Sequence, residues 1–141
     1  MADQDRWLKY AALLYALGLA LHTADHLRRG LDVVTAQVLW AGNLSTLVGI
    51  ATVAAVVLLG YRYGAQLAAW TGIPVALGVG AVHLLPKWSA LSDSFLGAQH
   101  TGVTALSWTV VLIEIAGALA MGIVGIRTVR SAQVVSARVR G

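Results

Sequence analysis

The sequence has no cysteine, two prolines, one phenylalanine and few charged residues. The absence of cysteine excludes disulfides, thiolate metal sites and cysteine nucleophiles. Charged residues make up 11% of the 141 residues, whereas soluble domains contain roughly a quarter. Apolar residues make up 58% of the chain and occur in long runs that end at charges. This pattern predicts a membrane protein with room for one domain.

The basic residues do not predict a nucleic-acid partner, although the formal net charge is +4. They flank apolar runs and do not form a patch with interleaved aromatic side chains. No nucleotide-binding glycine loop or Gly-x-Ser-x-Gly nucleophile motif is present in the sequence. We therefore expect the lipid bilayer as a partner and no nucleic acid.

Four apolar runs predict an all-α integral membrane four-helix bundle that crosses the bilayer up, down, up and down. Each run has about 20 to 27 residues, which is enough to cross a hydrocarbon core of about 30 Å. Helices are expected because lipid offers no partner to backbone N–H and C=O groups. The predicted transmembrane domain covers residues 1–127, and a loose basic cytoplasmic tail covers 128–141. The predicted spans are about 7–27, 34–60, 65–85 and 102–126.

The distribution of lysine and arginine predicts the orientation of these spans. An even number of spans places both termini on one side of the membrane, and most basic residues fall on that side. Arg28, Arg29 and Lys87 fall on the other side, and the Arg28-Arg29 pair fits the scheme least well. The positive-inside rule then predicts cytoplasmic termini in a bacterial plasma membrane. The basic residues predicted to be cytoplasmic are Arg6, Lys9, Arg62, Arg127, Arg130, Arg138 and Arg140.

The same orientation places all four histidines near the outer face of the membrane. His22 and His26 are one helical turn apart, about 40° on the helical wheel, so both imidazoles can bind one metal ion. His83 lies near the outer end of the third span, and His100 immediately precedes the fourth. Imidazole nitrogens from several segments predict a site for a divalent transition metal: zinc, iron or copper.

Asp25 belongs to a His-Thr-Ala-Asp-His string that is similar to the helical H-x-x-E-H zinc motif, with Asp in place of Glu. We expect Asp25 to orient a histidine or to bind the ion itself. The shorter side chain weakens a general-base role. The alternative is an ion pair on the same helix with Arg28 or Arg29. Asp93, in the outer loop, is a more distant candidate.

Glu114 is the deepest ionisable residue, about 12 residues or roughly 18 Å into the fourth span. A carboxylate at that depth costs about 2.5 kcal/mol or more, so Glu114 is expected to face the interior of the bundle. Ser107 and His100 share its helical face. The structural interpretation is a neutral Glu114 that joins helices through Asn43. The functional interpretation is a proton relay or an additional metal ligand.

Three functions are compatible with these patterns. The first is a membrane metalloprotein, and potentially a metalloenzyme, in which the four histidines bind the ion and Asp25 and Glu114 act in catalysis. The second is an electron-transfer protein with b-type haem between two histidines. The third is a non-catalytic accessory subunit or a small proton-coupled transporter. Small residues at 68, 72, 76 and 80 favour close helix contacts within the chain, in a homo-oligomer or with a partner membrane subunit.

Overall fold

The computed structural model describes residues 2–59, 63–97 and 101–140, and these residues confirm the all-α prediction. A 3₁₀ turn at Leu31–Val33 precedes the second helix, and a loop without regular structure joins the third and fourth helices. The four α-helices are α1 (Ala2–Arg29), α2 (Ala36–Val57), α3 (Gly64–His83) and α4 (Ala105–Arg140).

Three of these helices are long and apolar enough to cross a membrane: α2, α3 and the Ala105–Val134 part of α4. α1 is equally long but more polar. Lys9 and Asp25 leave only residues 10–24 without a charged side chain, and His22 lies inside that run. Hydropathy in the described residues therefore supports three of the four predicted spans directly.

The ends of the helices differ from the predicted span limits by a few residues, except in α4. Thr35 begins α2, because its side-chain oxygen accepts a hydrogen bond from the Val38 N–H at 3.2 Å. The predicted end of that span at Gly60 lies outside the described residues. The predicted tail after residue 127 is helical in the structure, since α4 continues to Arg140. No glycine or proline occurs between residues 126 and 140 to interrupt the helix.

α4 is the central helix, because both α1 and α3 pack along it. Glycines bring the backbones close together: a Cβ atom at Gly18 would lie 2.5 Å from Glu114 Cα, and one at Gly117 would lie 2.7 Å from Tyr15 Cα. On the other side of α4, a Cβ atom at Gly122 would lie 2.9 Å from the Ile73 backbone nitrogen. α2 packs less extensively, against α1 and α3.

Large apolar side chains cover the outside of the molecule. Trp40 and Leu44 on α2 are 76% and 64% exposed, and Trp70 on α3 is 81% exposed. A soluble monomer rarely presents apolar patches of this extent to water, whereas lipid tails are their natural surroundings. The exposed surface therefore agrees with a membrane location.

Gly117→Ala is expected to destabilise the protein by about 1–3 kcal/mol, because the added methyl group would clash with the backbone of α1. Gly80→Ala is the matched control on α3. A Cβ atom at Gly80 meets nothing within 4 Å, and alanine has a higher helix propensity than glycine. Thermal unfolding in detergent, followed by circular dichroism, measures both changes. Equal midpoints for the two variants would contradict the close α1–α4 contact.

Candidate metal centre

Three of the four histidines converge on one site, which we call the histidine triad: His22, His26 and His83. One ring nitrogen from each lies within 4.8 Å of the other two. The ring centroids of His22 lie 4.7 Å from His26 and 4.8 Å from His83. Nitrogens bound to one zinc ion lie about 2.0–2.1 Å from it and thus at most about 4.2 Å from one another, so the triad is close to the spacing of a shared ion. His100 lies outside the described residues.

Two helices position the triad. His22 and His26 are four residues apart on α1, so their side chains lie on one face. His83 is the last residue of α3, where the Leu84 N–H donates to the Gly80 carbonyl at 2.8 Å and closes the helix. His22 and His83 are buried, and His26 is partly exposed. The triad thus lies between α1 and α3 with one side accessible.

Glu114 holds the His22 ring from α4. Nδ1 of His22 and Oε2 of Glu114 share a hydrogen bond, between residues 92 positions apart in the sequence. Glu114 is 2% exposed, and the predicted inward orientation is therefore observed. Its partner is His22, and the predicted contact with Asn43 is not formed, since Asn43 is exposed on α2. The Nε2 atom of His22 is left buried without a hydrogen-bond partner.

His83 is held in a similar way by the loop that follows α3. Its Nδ1–H donates to the backbone carbonyl of Asp93 at 3.0 Å. The Asp93 carboxylate lies 3.5 Å from the same nitrogen and 4.0 Å from Nδ1 of His26. With Nδ1 protonated, the Nε2 atom of neutral His83 carries the free lone pair. Nε2 is therefore the ring nitrogen of His22 and His83 that these hydrogen bonds leave free.

A buried ion pair between Arg29 and Asp93 fixes this loop, and we call it the Arg29–Asp93 pair. Arg29 donates two parallel hydrogen bonds to the carboxylate, at 2.7 and 2.8 Å. The side chains are 0% and 4% exposed. Burial raises the pKa of Asp93, but the hydrogen bonds and positive charge of Arg29 outweigh burial and hold that pKa below its usual value. Asp93 is therefore ionised beside the histidines.

Backbone contacts position Asp93 over the end of α3. The Asp93 N–H donates to the Val82 carbonyl at 3.1 Å, and the Phe95 N–H donates to the His83 carbonyl at 2.9 Å. The Phe95 ring packs against His83 with centroids 4.7 Å apart, and the Arg29 guanidinium lies over the Phe95 ring, 5.2 Å from its centroid. The loop therefore covers the triad with an acceptor and an aromatic ring.

Asp25 is not part of the triad, although it is buried. It accepts a hydrogen bond from Arg28 Nε at 2.8 Å, which is the ion pair given above as the alternative. Arg28 also donates to the Gly102 carbonyl at 2.9 Å and to Ser107 Oγ at 3.2 Å. In the described part of the chain, no hydrogen bond joins Asp25 to a histidine. The described residues that hydrogen bond to the triad are Glu114 and Asp93.

The Arg28-Arg29 pair now has a structural explanation. Both arginines sit at the end of α1 and bind groups in the segment that leads to α4, including the Thr101 carbonyl, which accepts from Arg29 Nε at 3.1 Å. From the sequence alone, the two arginines fit the predicted orientation poorly, and Asp93 is a distant candidate for the metal site. Two arginines on the predicted outer side break the positive-inside rule. This exception was the signal in the sequence that acidic or backbone groups bind them.

Comparison with known proteins provides no relative for this chain. No family model matches it, and no curated protein or solved structure is significantly similar to it. Its function therefore has to be inferred from the chemistry of the histidine triad. Among the described residues, that triad is the group whose geometry can hold a metal ion.

Proposed function

We propose that this protein binds one divalent transition metal ion through the histidine triad inside a membrane domain. The observation that supports this most strongly is the pairing of both buried rings. His22 Nδ1 is hydrogen bonded to a carboxylate, and His83 donates Nδ1–H to a backbone carbonyl. Histidines that bind metals almost always donate their other ring N–H to such acceptors. The buried, unpartnered Nε2 of His22 would gain a partner in the ion.

Zinc, copper or iron fits this donor set, because imidazole nitrogens suit these ions and calcium and magnesium prefer oxygen ligands. Three protein ligands leave a fourth position free, as in catalytic zinc sites. When bound, such an ion supplies a Lewis acid and lowers the pKa of bound water. We propose Glu114 as a positioning residue that holds the His22 ring through Nδ1, and His100 as an additional ligand that would take the fourth position or a fifth.

The ring spacing favours an ion over haem. The centroids of His22 and His83 lie 4.8 Å apart, with their planes at 76°. A porphyrin ring held by two axial histidines would have to pass between them, and this separation leaves no space for it. We therefore prefer the metalloprotein to the b-type haem alternative, which requires α1 and α3 to separate.

We propose that α1 is a fourth span and that the helices cross the membrane up, down, up and down, with both termini in the cytoplasm. Three polar side chains of α1 point inward, since His22, Asp25 and Arg29 are buried. Its outward face carries Leu13 and Leu17, which are 50% and 53% exposed. These inward-pointing polar residues lower the mean hydropathy of α1, although lipid would not contact them.

Cysteine labelling tests this topology, since the chain contains no cysteine of its own. Ala90→Cys lies in the loop before α4 and Ala132→Cys near the end of α4, both at exposed positions. We expect a membrane-impermeant maleimide to label Ala90→Cys in intact bacterial cells and Ala132→Cys only after permeabilisation. Labelling of both positions, or only of Ala132→Cys, in intact cells would contradict the proposed orientation.

Zinc titration of the purified, chelator-treated protein tests the proposed function. We expect one zinc ion per chain and a rise in thermal stability, about 2.7 kcal/mol when free zinc is 100 times its Kd. Magnesium is the matched control, because it prefers oxygen ligands and should leave the melting temperature unchanged. Absence of stoichiometric zinc, copper or iron, with no stabilisation by any of them, would refute the proposal.

A further inference from the structure

A cavity of about 520 Å³ lies beside the histidine triad, and we call it the apolar cavity. It occupies the region where α2 packs less extensively against α1 and α3. α1, the 3₁₀ turn, α2 and α3 supply its walls, and Glu114 is the one lining residue from α4. Its volume falls in the range of sites that bind drug-sized molecules, about 300–1,000 Å³.

The lining of the apolar cavity indicates an uncharged ligand. Among the described residues, no lysine, arginine or aspartate lines the cavity, and the carboxylate that does, Glu114, is already hydrogen bonded to His22. Away from the triad, a charged group would therefore lose its hydration without gaining a counter-ion from the walls, which is costly. Most of the lining is apolar, with side chains such as Leu19, Val79 and Val82.

The polar groups of the cavity are concentrated at the triad and on one stretch of α2. All three histidines line the cavity, and Asn43 and Thr46 face it from α2. These groups can form hydrogen bonds with an oxygen atom of a ligand, and a metal ion on the triad would bind such an oxygen directly. A ligand with an oxygen at one end and an apolar body fits this distribution.

The cavity opens to apolar surface at the end of α1 and the 3₁₀ turn. Leu27 and Leu31 line the cavity and are 64% and 49% exposed, so the cavity reaches the surface of the protein. Gly42 and Gly78 also line it, and a Cβ atom at either would meet nothing within 4 Å. Open space next to an apolar surface favours a molecule that dissolves in lipid.

We propose that the apolar cavity binds an uncharged, membrane-soluble molecule with an apolar body and one oxygen-bearing head group, and that the head group contacts the histidine triad. The inference gives the substrate class of the proposed metal site. It rests on the proposed function only for the position of the head group. The apolar lining places the body of the ligand whether or not an ion is bound.

Photolabelling with a diazirine-bearing dodecanol tests the inference on the purified protein in detergent, with and without zinc. We expect saturable labelling, competed by plain dodecanol and mapped by mass spectrometry to α1, α2 and α3 around the cavity. Gly78→Phe fills the cavity and should reduce labelling about tenfold. Gly80→Phe is the matched control, because Gly80 lies on the same helix, has open space around it and does not line the cavity.

A second variant and a second probe complete the test. Gly42→Phe fills the cavity from α2, away from the histidines, and should reduce labelling even if Gly78→Phe disturbs zinc binding. In the zinc-free protein, a diazirine-bearing dodecyl phosphate should label weakly, since no lysine or arginine among the described residues lines the cavity. Equal labelling of both filled variants and Gly80→Phe, or equal labelling of the zinc-free protein by the alcohol and the phosphate, would overturn the inference. Saturable labelling without any zinc binding would instead refute the proposed metal site and retain the cavity.

Discussion

His22→Ala is expected to lower the affinity for zinc by more than about 100-fold, since even residues that only orient metal ligands contribute 10–100-fold. The variant removes the buried Nε2 and leaves the Glu114 carboxylate without its hydrogen-bond partner. Competition with a chromophoric chelator measures the affinity. Thr23→Ala is the matched control on the same helix, because Thr23 lines the cavity but is not part of the triad. Equal affinities for both variants would exclude His22 as a ligand.

Glu114→Gln separates the positioning role of Glu114 from a purely structural one. The amide can still accept the Nδ1–H of His22, but it lacks the negative charge that makes the imidazole a better ligand. We therefore expect zinc affinity about 10–100-fold lower than in the unchanged protein, with one ion still bound per chain. An unchanged affinity would restrict Glu114 to helix packing. His100→Ala, measured in the same assay, tests whether His100 contributes a fourth ligand.

Arg29→Ala is expected to destabilise the protein by about 3–5 kcal/mol, because it leaves the Asp93 carboxylate buried without its cation. Both side chains are almost completely buried, and their two hydrogen bonds hold the loop over the histidine triad. Unfolding in detergent, followed by tryptophan fluorescence, measures the loss. Lys87→Ala is the control, since Lys87 lies in the same loop but is exposed, and surface changes usually stay within about 0.5 kcal/mol.

A double variant tests whether charge imbalance causes this loss. Arg29→Met combined with Asp93→Leu removes both charges and keeps similar volumes, and replacement of a buried ion pair by apolar residues is often neutral. We expect the double variant to recover most of the stability that Arg29→Ala loses. The Asp93 carbonyl that accepts from His83 belongs to the backbone, so zinc binding should persist. A double variant as unstable as the single one would show that packing, and not charge, dominates.

The local features of this protein could be predicted from its sequence. Long apolar runs indicate helices, because a helix satisfies its own backbone groups within one segment. The i, i+4 spacing of His22 and His26 places them on one face whatever surrounds the helix. The depth of Glu114 in its apolar run requires it to face inward. Each of these properties depends on neighbours along the chain, so composition and spacing are sufficient.

The partners of the site depend on the tertiary structure. Arg29 meets Asp93 across 64 positions and His22 meets Glu114 across 92, and nothing in the spacing of these residues favours those partners over Asp25 and Asn43. The sequence by itself determined the helices and the pair of histidines on α1. Only the packing of α1 and α3 on α4, and the fold of the loop over α3, decided that His83 completes the triad. Contacts between helices decide which polar groups meet. The order of residues along one helix does not specify those contacts.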